Sequence, residues 1–309
     1  MGYYLSRRIG GLLVTMLVVS FVAYVALTYA PGDAAEALAG ENASAEQLAA
    51  LRSQMHLDAP LAERYADYMT AALTRGDLGR SLISGRSVRE MLEERIPPTL
   101  LLAVVAMGLA AIAGVGSGLL AASRPGSKLD IVAMGGTALG LAVPPYWVAL
   151  LLVLLFSLRL HWLPVFGYGT AAHLVLPAIT LALPGAAMVA RLIRSSVVEV
   201  KGADFVRTAA SKGLGPSQLM LRHILPNSLI PALTMLGLNL SHLIGGAFVI
   251  ETIFAWPGLG RLTVQAIFDR DLPVLMGAVL TVVPLCLTVN LLVDLLHGVL
   301  DPRLRHEAI

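Results

Sequence analysis

Apolar residues gather along this chain into six long runs, at about 9–30, 99–122, 131–157, 175–195, 229–250 and 274–298, separated by polar stretches. At 1.5 Å of rise per residue, runs of this length cross the roughly 30 Å hydrocarbon layer of a bilayer as helices. The runs are continuous, rich in Leu, Val, Ala and Met, with Gly and Pro inside them. A membrane barrel would instead show segments of about ten residues alternating in polarity. The pattern predicts an all-α integral membrane protein with six transmembrane helices.

The polar stretches give the orientation. With the N-terminus inside, the inner pieces hold Arg7, Arg8, Arg124, Lys128, Arg191, Arg194, Lys201, Arg207, Lys212, Arg222, Arg303 and Arg305. The short outer loops hold only Arg159, Arg261 and Arg270. Excess Lys and Arg marks cytoplasmic loops, so the expectation is N-in and C-in. The run from Ile9 to Ala30 is longer than the 7–15 apolar residues usual in a signal peptide, and reads as an uncleaved anchor. The long stretch 31–98 counts lightly for orientation, because long loops translocate largely regardless of charge. It carries helix signals of its own. Ser44 with Gln47, and Ser87 with Glu90, have the spacing of capping boxes, and Gly76 can close a helix over Leu61–Arg75. The expected organisation is an anchor (1–30), an extracytoplasmic helical segment (31–98), a five-helix core (99–298) and a cytoplasmic tail (299–309).

Composition narrows the function classes. The chain is 57% hydrophobic and 14% charged, with mean hydropathy +0.77, against about 45–50% and about 25% in a soluble domain. That excludes a soluble enzyme, a disordered chain and a nucleic-acid binder. The net charge of +2 adds nothing on partners. The single cysteine, Cys286, lies in an apolar run and supports neither a disulfide nor a metal–thiolate site. No Gly-Lys dipeptide occurs, hence no Walker A loop for ATP phosphates, and no HExxH or Cys/His cluster offers a metal site. Ser117 lacks a histidine base on its segment, so no catalytic residue is expected. Gly114 and Gly118, four apart, read as small residues that let two helices approach closely. Ionisable residues are nearly absent from the runs. Asp294 is the one candidate, so ion-coupled transport lacks its usual carboxylates.

The stretch 196–228, between the fourth and fifth runs, carries the strongest functional signal. It contains Lys201-Gly202-Ala203-Asp204-Phe205-Val206-Arg207-Thr208-Ala209-Ala210-Ser211-Lys212-Gly213-Leu214-Gly215-Pro216 and, further on, Arg222-His223-Ile224-Leu225-Pro226-Asn227. Asp204 can N-cap a short helix that Gly213 or Gly215 ends. Ala209, Ala210, Ser211 and Gly213 leave a thin surface able to seat in another protein's cleft. Arg207, Lys212 and Arg222 supply polar anchors around it.

Here the sequence resembles the permeases of ABC importers. Gly213 followed by Leu225-Pro226 matches the second half of their EAA motif. Arg207 and Thr208 depart from the first half, where only Ala209 agrees. The run Asp204 to Leu214 resembles the branch that serves dipeptides, oligopeptides and nickel. So do Pro31-Gly32-Asp33, Gly76-Asp77-Leu78-Gly79 with Ser81, Pro98-Thr99 and the loop Trp162 to Gly169. Glu251 to Arg261, Arg270-Asp271 with Pro273, and Leu300-Asp301-Pro302-Arg303 complete the series.

The resemblance implies a non-enzymatic permease subunit in a bacterial inner membrane. It implies a second homologous permease subunit, two ABC ATPase subunits and an extracytoplasmic solute-binding protein as partners. ATP and Mg would be bound by the ATPase subunits and no cofactor by this chain. Asp204, Arg207, Ala209, Ala210, Lys212, Gly213, Leu214 and Pro226 would form the loop that couples ATP-driven closure to transport. Ala209 is expected on the face that enters the ATPase cleft. The family handles peptides, glutathione, nickel and metal chelates, and the Leu163-to-Gly169 loop with Arg222-His223-Ile224-Leu225 leans toward nickel. Asn239 and His242, three apart on one helical face, are candidates for the translocation path, with an interhelical hydrogen bond as the alternative. Neither is a metal ligand. Pro144-Pro145 is expected to kink the third run. A different class, a membrane-embedded enzyme or the receptor core of a signalling complex, is the competing reading.

Overall fold

The computed structural model describes residues 2–29, 44–54 and 59–300. Within them the chain is helical almost throughout, with no strand and one β-bridge, between Arg80 and Ser87. The helices are α1 (Gly2–Thr28), α2 (Ala45–Gln54), α3 (Leu61–Arg75), α4 (Val88–Ser123), α5 (Lys128–Ala142) and α6 (Pro145–Leu152). They continue with α7 (Ala171–Lys201), α8 (Asp204–Ser211), α9 (Pro216–Leu219), α10 (Leu225–Ile253), α11 (Leu259–Phe268) and α12 (Leu272–Leu300). Pro31-Gly32-Asp33, Asp301-Pro302-Arg303 and the side chains of His242 and Asp294 lie outside the described residues.

Three helices are each long and apolar enough to cross a membrane: α4, α7 and α12 over Leu272–Leu291. Two bent pairs raise the number to as many as five, and α1 has a shorter apolar stretch, Leu13–Ala26. One bent pair replaces the continuous run 131–157. Lys128–Ala142 and Pro145–Arg159 meet at 105°. Pro144 pushes Val143 out of the helical region (φ −86°, ψ 126°), and Pro145 starts the next helix where a missing N–H costs nothing. The two prolines break the helix rather than kink it. A second bend, of 56°, separates Pro216–Leu240 from Leu243–Ile253.

Several local expectations are met. Ser44 and Gln47 form a reciprocal capping box, at 3.0 and 3.2 Å. Gly76 closes α3 in the left-handed conformation (φ 63°) and donates its N–H to Ala71 O. At the second expected box, Ser87 joins the bridge to Arg80 and offers its carbonyl to Met91 N–H. There α4 begins about ten residues before its apolar run, absorbing Pro97 and Pro98.

The chain packs as two compact units, one within Met1–Thr99 and Pro257–Leu287, the other within Leu100–Trp256 and Thr288–Ile309. In the first, α1 meets α3 through Ser20 Oγ and Tyr65 OH, 2.7 Å apart, and through edge-on rings of Phe21 and Tyr65. Val88 and Leu92 of α4, Leu259 and Leu262 of α11, and Val274 and Leu275 of α12 form its apolar core. Thr99 Oγ1 accepts the Leu259 N–H at 2.8 Å, satisfying an orphan donor at the start of α11. A cavity of about 470 Å³ in this unit is lined by Tyr24, Glu63, Arg64, Asp67, Tyr68 and Met276, among others. The Tyr68 hydroxyl is buried without a partner among the described residues. Burial, with the Asp77 charge and Tyr24 adding to it, holds its phenol above the usual range, so it stays neutral.

In the second unit α7 is central. Gly114 and Gly118 of α4 lie against it so closely that a Cβ on Gly114 would sit 2.7 Å from Val189 Cβ, and one on Gly118 2.6 Å from Ala190 O. The small-residue reading of that pair holds. Gly140 of α5 packs on the same helix, against Ala187 and Leu183. Trp256, fully buried, stands edge-on to Tyr168 at 4.8 Å.

Candidate functional site

The α7–α10 connection is built from short-range rules. Helix α7 ends at Lys201, and Gly202 and Ala203 turn the chain with N–H bonds to Glu199 O and Val200 O. Helix α8 then runs Asp204–Ser211, with Ala203 as N-cap. Asp204 is therefore the first helical residue and not the cap. Its carboxylate pairs with Arg207 one turn on, at 2.5 Å, and both side chains are exposed. So exposed a pair adds little stability. It does present both charges on one surface.

Gly213 stops the helix. It has φ +84°, a conformation that side chains disfavour, and a Cβ there would meet nothing within 4 Å. Its N–H bonds Ala210 O at 2.9 Å. The glycine is thus required by backbone conformation while the space around it stays open. Gly215, with φ −68°, instead precedes α9.

Pro226 shapes the far end. The turn before it widens into a π-helical stretch, Met220–Ile224, with Leu225 N–H bonded to Met220 O. Pro226 has no N–H to give the Arg222 carbonyl, and the two residues after it add side-chain bonds to the carbonyls that follow. Asn227 Nδ2 reaches His223 O at 2.6 Å and Ser228 Oγ reaches Ile224 O at 2.9 Å.

The two sides of α8 differ in exposure, and Ala209, expected on the face that enters a partner's cleft, lies on the covered side. Ala209 is buried (7% exposed), as is Val206 (6%), so both pack within their own unit. Three residues apart, they lie on one helical face. The free face carries Phe205, Arg207, Thr208, Ala210, Ser211, Lys212 and Gly213, all exposed. Phe205 is 47% exposed, a large apolar side chain left uncovered. Nothing in the spacing along the chain says which side of so short a helix is covered. Leu214 is half-buried and Pro226 exposed.

Elsewhere the structure brings separated motifs together. Ser81 of the Gly76–Ser81 run bonds Asp271 of the Arg270–Pro273 run. The Trp162–Gly169 loop meets the Glu251–Trp256 run through the Tyr168–Trp256 ring contact and the Gly167 N–H to Phe254 O bond. Asn239 is half-buried, with its Nδ2 on Met235 O at 2.9 Å, next to the 56° bend. No group of three metal-ligating side chains occurs among the described residues.

Residues 114–306 match the family described as binding-protein-dependent transport system inner membrane component, and residues 1–103 match its N-terminal counterpart. A probable peptide ABC transporter permease protein, y4tP, of Sinorhizobium fredii is 37% identical over 99% of this chain and 100% of its own. The glutathione transport system permease protein GsiC of Escherichia coli O6:H1 is 36% identical over 98% of this chain and 99% of its own. Among solved structures, an inward-facing MetNI methionine ABC transporter has a chain that aligns with TM-score 0.58 and 19% identity, covering 68% of this chain and 96% of that one. A chain of an amino acid ABC transporter crystallised with histidines aligns at 0.54 and 17%, covering 68% and 94%.

Proposed function

The chain belongs to the binding-protein-dependent transport system inner membrane components, and from that premise we propose how it assembles and what it carries. As a permease subunit of an ABC importer in the bacterial inner membrane, it conducts transport without being an enzyme and works with ATPase subunits. The competing reading, a membrane enzyme or signalling receptor core, falls with that membership.

The proposal is that it pairs with a second homologous permease, that two ATPase subunits dock below, and that an extracytoplasmic binding protein delivers the cargo. Six spans with both termini inside place α8 in the cytoplasm. ATP and Mg then belong to the ATPase subunits. The cargo is a short peptide or peptide-like molecule, as the names of y4tP and GsiC indicate for those proteins. The relatives named above give no support to the nickel lean.

The observation that carries the coupling role is α8 itself. It is a short helix held by one apolar face, Val206 and Ala209, and closed by a glycine in open space, with Phe205, Thr208 and Ser211 facing outward. Such an element can seat in a cleft and pass on displacement. Single cysteines introduced in a Cys286→Ala background test it by cross-linking to the ATPase. Thr208→Cys and Ser211→Cys should cross-link and Ala209→Cys should not. Cross-linking from position 209 alone would overturn the proposed face.

A further inference from the structure

Outside α8, helix α7 carries a polar clasp that the coupling role does not by itself require. Arg194 grips Asp130, the third residue of α5, with two parallel bonds: Nε to Oδ1 and Nη2 to Oδ2, both 2.7 Å. Asp130 Oδ2 also takes the Gly126 N–H at 2.8 Å, and Ser127 caps α5 through the Asp130 N–H. The Asp130 side chain is 4% exposed and that of Arg194 32%. One turn earlier, Arg191 Nε donates to Thr137 Oγ1 at 3.1 Å. Two turns later, Lys201 Nζ donates to Ala122 O at 2.7 Å, in the last turn of α4. Arg191 lies one turn, and Lys201 two turns, from Arg194, so the three point to the same side of α7.

We propose that Arg194 and Lys201 are positioning residues that bind the ends of α4 and α5 to α7, so that a displacement of α8 moves all three helices as one lever. This rests on the coupling reading of α8. The apolar part of α7 is fastened by close backbone approach at Gly114 and Gly118, and by side-chain contact at Gly140. Toward Lys201 those glycine contacts stop and the polar bonds take over, and only Gly202 and Ala203 separate Lys201 from α8. A forked guanidinium–carboxylate pair fixes both the separation and the relative twist of two helices, whereas a point charge fixes separation alone. A Lys head on a terminal carbonyl ties down a helix end that has no partner of its own. Stiffness where load enters is what a lever needs.

The test uses the assembled transporter in proteoliposomes, scoring peptide uptake per ATP hydrolysed and normalised to recovered complex. Arg194→Lys keeps the charge and loses the fork, and Lys201→Met removes the head while keeping the stem. Each should leave ATPase docking and hydrolysis in place and lower uptake per ATP by about fivefold or more, the lower end of common coupling factors. An unchanged ratio in the recovered complexes would overturn the proposal. If Arg194→Lys prevents recovery, Lys201→Met decides on the same ratio. Gly213→Asp, run alongside, keeps the two readings apart. If it docks ATPases and transports normally, the α8 reading fails whatever the ratio shows for Arg194.

Discussion

Ser81 donates its hydroxyl to Asp271 Oδ2 at 2.5 Å, 190 positions away in sequence, and both side chains are buried. Asp271 Oδ1 meanwhile accepts the Leu82 N–H at 3.1 Å, and the Asp271 carbonyl takes the Leu275 N–H in the first turn of α12. One carboxylate therefore ties the turn before α4 to the start of the last helix. Charge-assisted bonds of this kind are the strong ones, and a partner removed leaves a buried charge short of a donor. Ser81→Ala should lower the unfolding free energy in detergent by about 1–3 kcal/mol. Asp271→Asn should do the same, while Ser81→Thr, which keeps the hydroxyl, should lose less. Equal losses for Thr and Ala would show that the hydroxyl bond is not what matters.

The α4–α7 contact offers a steric prediction. Gly118→Val places carbon where the Ala190 carbonyl and Ile193 already sit, and nothing flexible can move aside. Overpacking of this kind costs about 1–3 kcal/mol. The yield of folded protein should drop sharply, and Gly114→Val should behave alike. Gly116→Val, where a Cβ meets nothing within 4 Å, should be tolerated. Size-exclusion recovery of the three variants checks this.

Topology is open to labelling. In a Cys286→Ala background, cysteines at Ser127 and Ser211 should be shielded from an impermeant thiol reagent in intact cells, as should one at Ala308. Cysteines at Ser44 and Thr170 should react. Labelling at 211 from outside would overturn the orientation on which the coupling role depends.

The path assignment rests on Asn239 and His242. Asn239→Leu combined with His242→Leu should reduce transport while ATPase assembly stays intact. Wild-type uptake by the double variant would mean that the pair packs helices or faces elsewhere.

What the sequence made legible is what short spacing controls. The box at Ser44 and Gln47, the end of α3 at Gly76 and the left-handed turn at Gly213 are settled within a few residues of themselves. Gly114 and Gly118 were legible for a related reason, since four-residue spacing on a helix is also local. The start of α4 was marked by Ser87 and Glu90, but not its unbroken course through Pro97 and Pro98 into the apolar run, which two prolines in sequence argue against. Nor was the 105° break, where two prolines signal an interruption without stating its angle. The side of α8 that is covered depends on what packs beneath it. Asp130 and Arg194 lie 64 positions apart, and no pattern along the chain relates them. The motif runs that carried the resemblance proved to be joints: Ser81 with Asp271, and Tyr168 with Trp256, each close a contact between two of them.

The central claim is that α8 transmits ATP-driven closure to the path. Peptide uptake and peptide-stimulated ATP hydrolysis, measured on the same proteoliposomes with wild type and Gly213→Asp, test it most directly. The substitution puts a side chain on a backbone at φ +84° and a negative charge at the docking face, and the apolar spans are unchanged. Uptake should fall to background, with the ATPases either lost on co-purification or no longer stimulated by peptide. Normal uptake by a well-expressed Gly213→Asp complex would contradict the account.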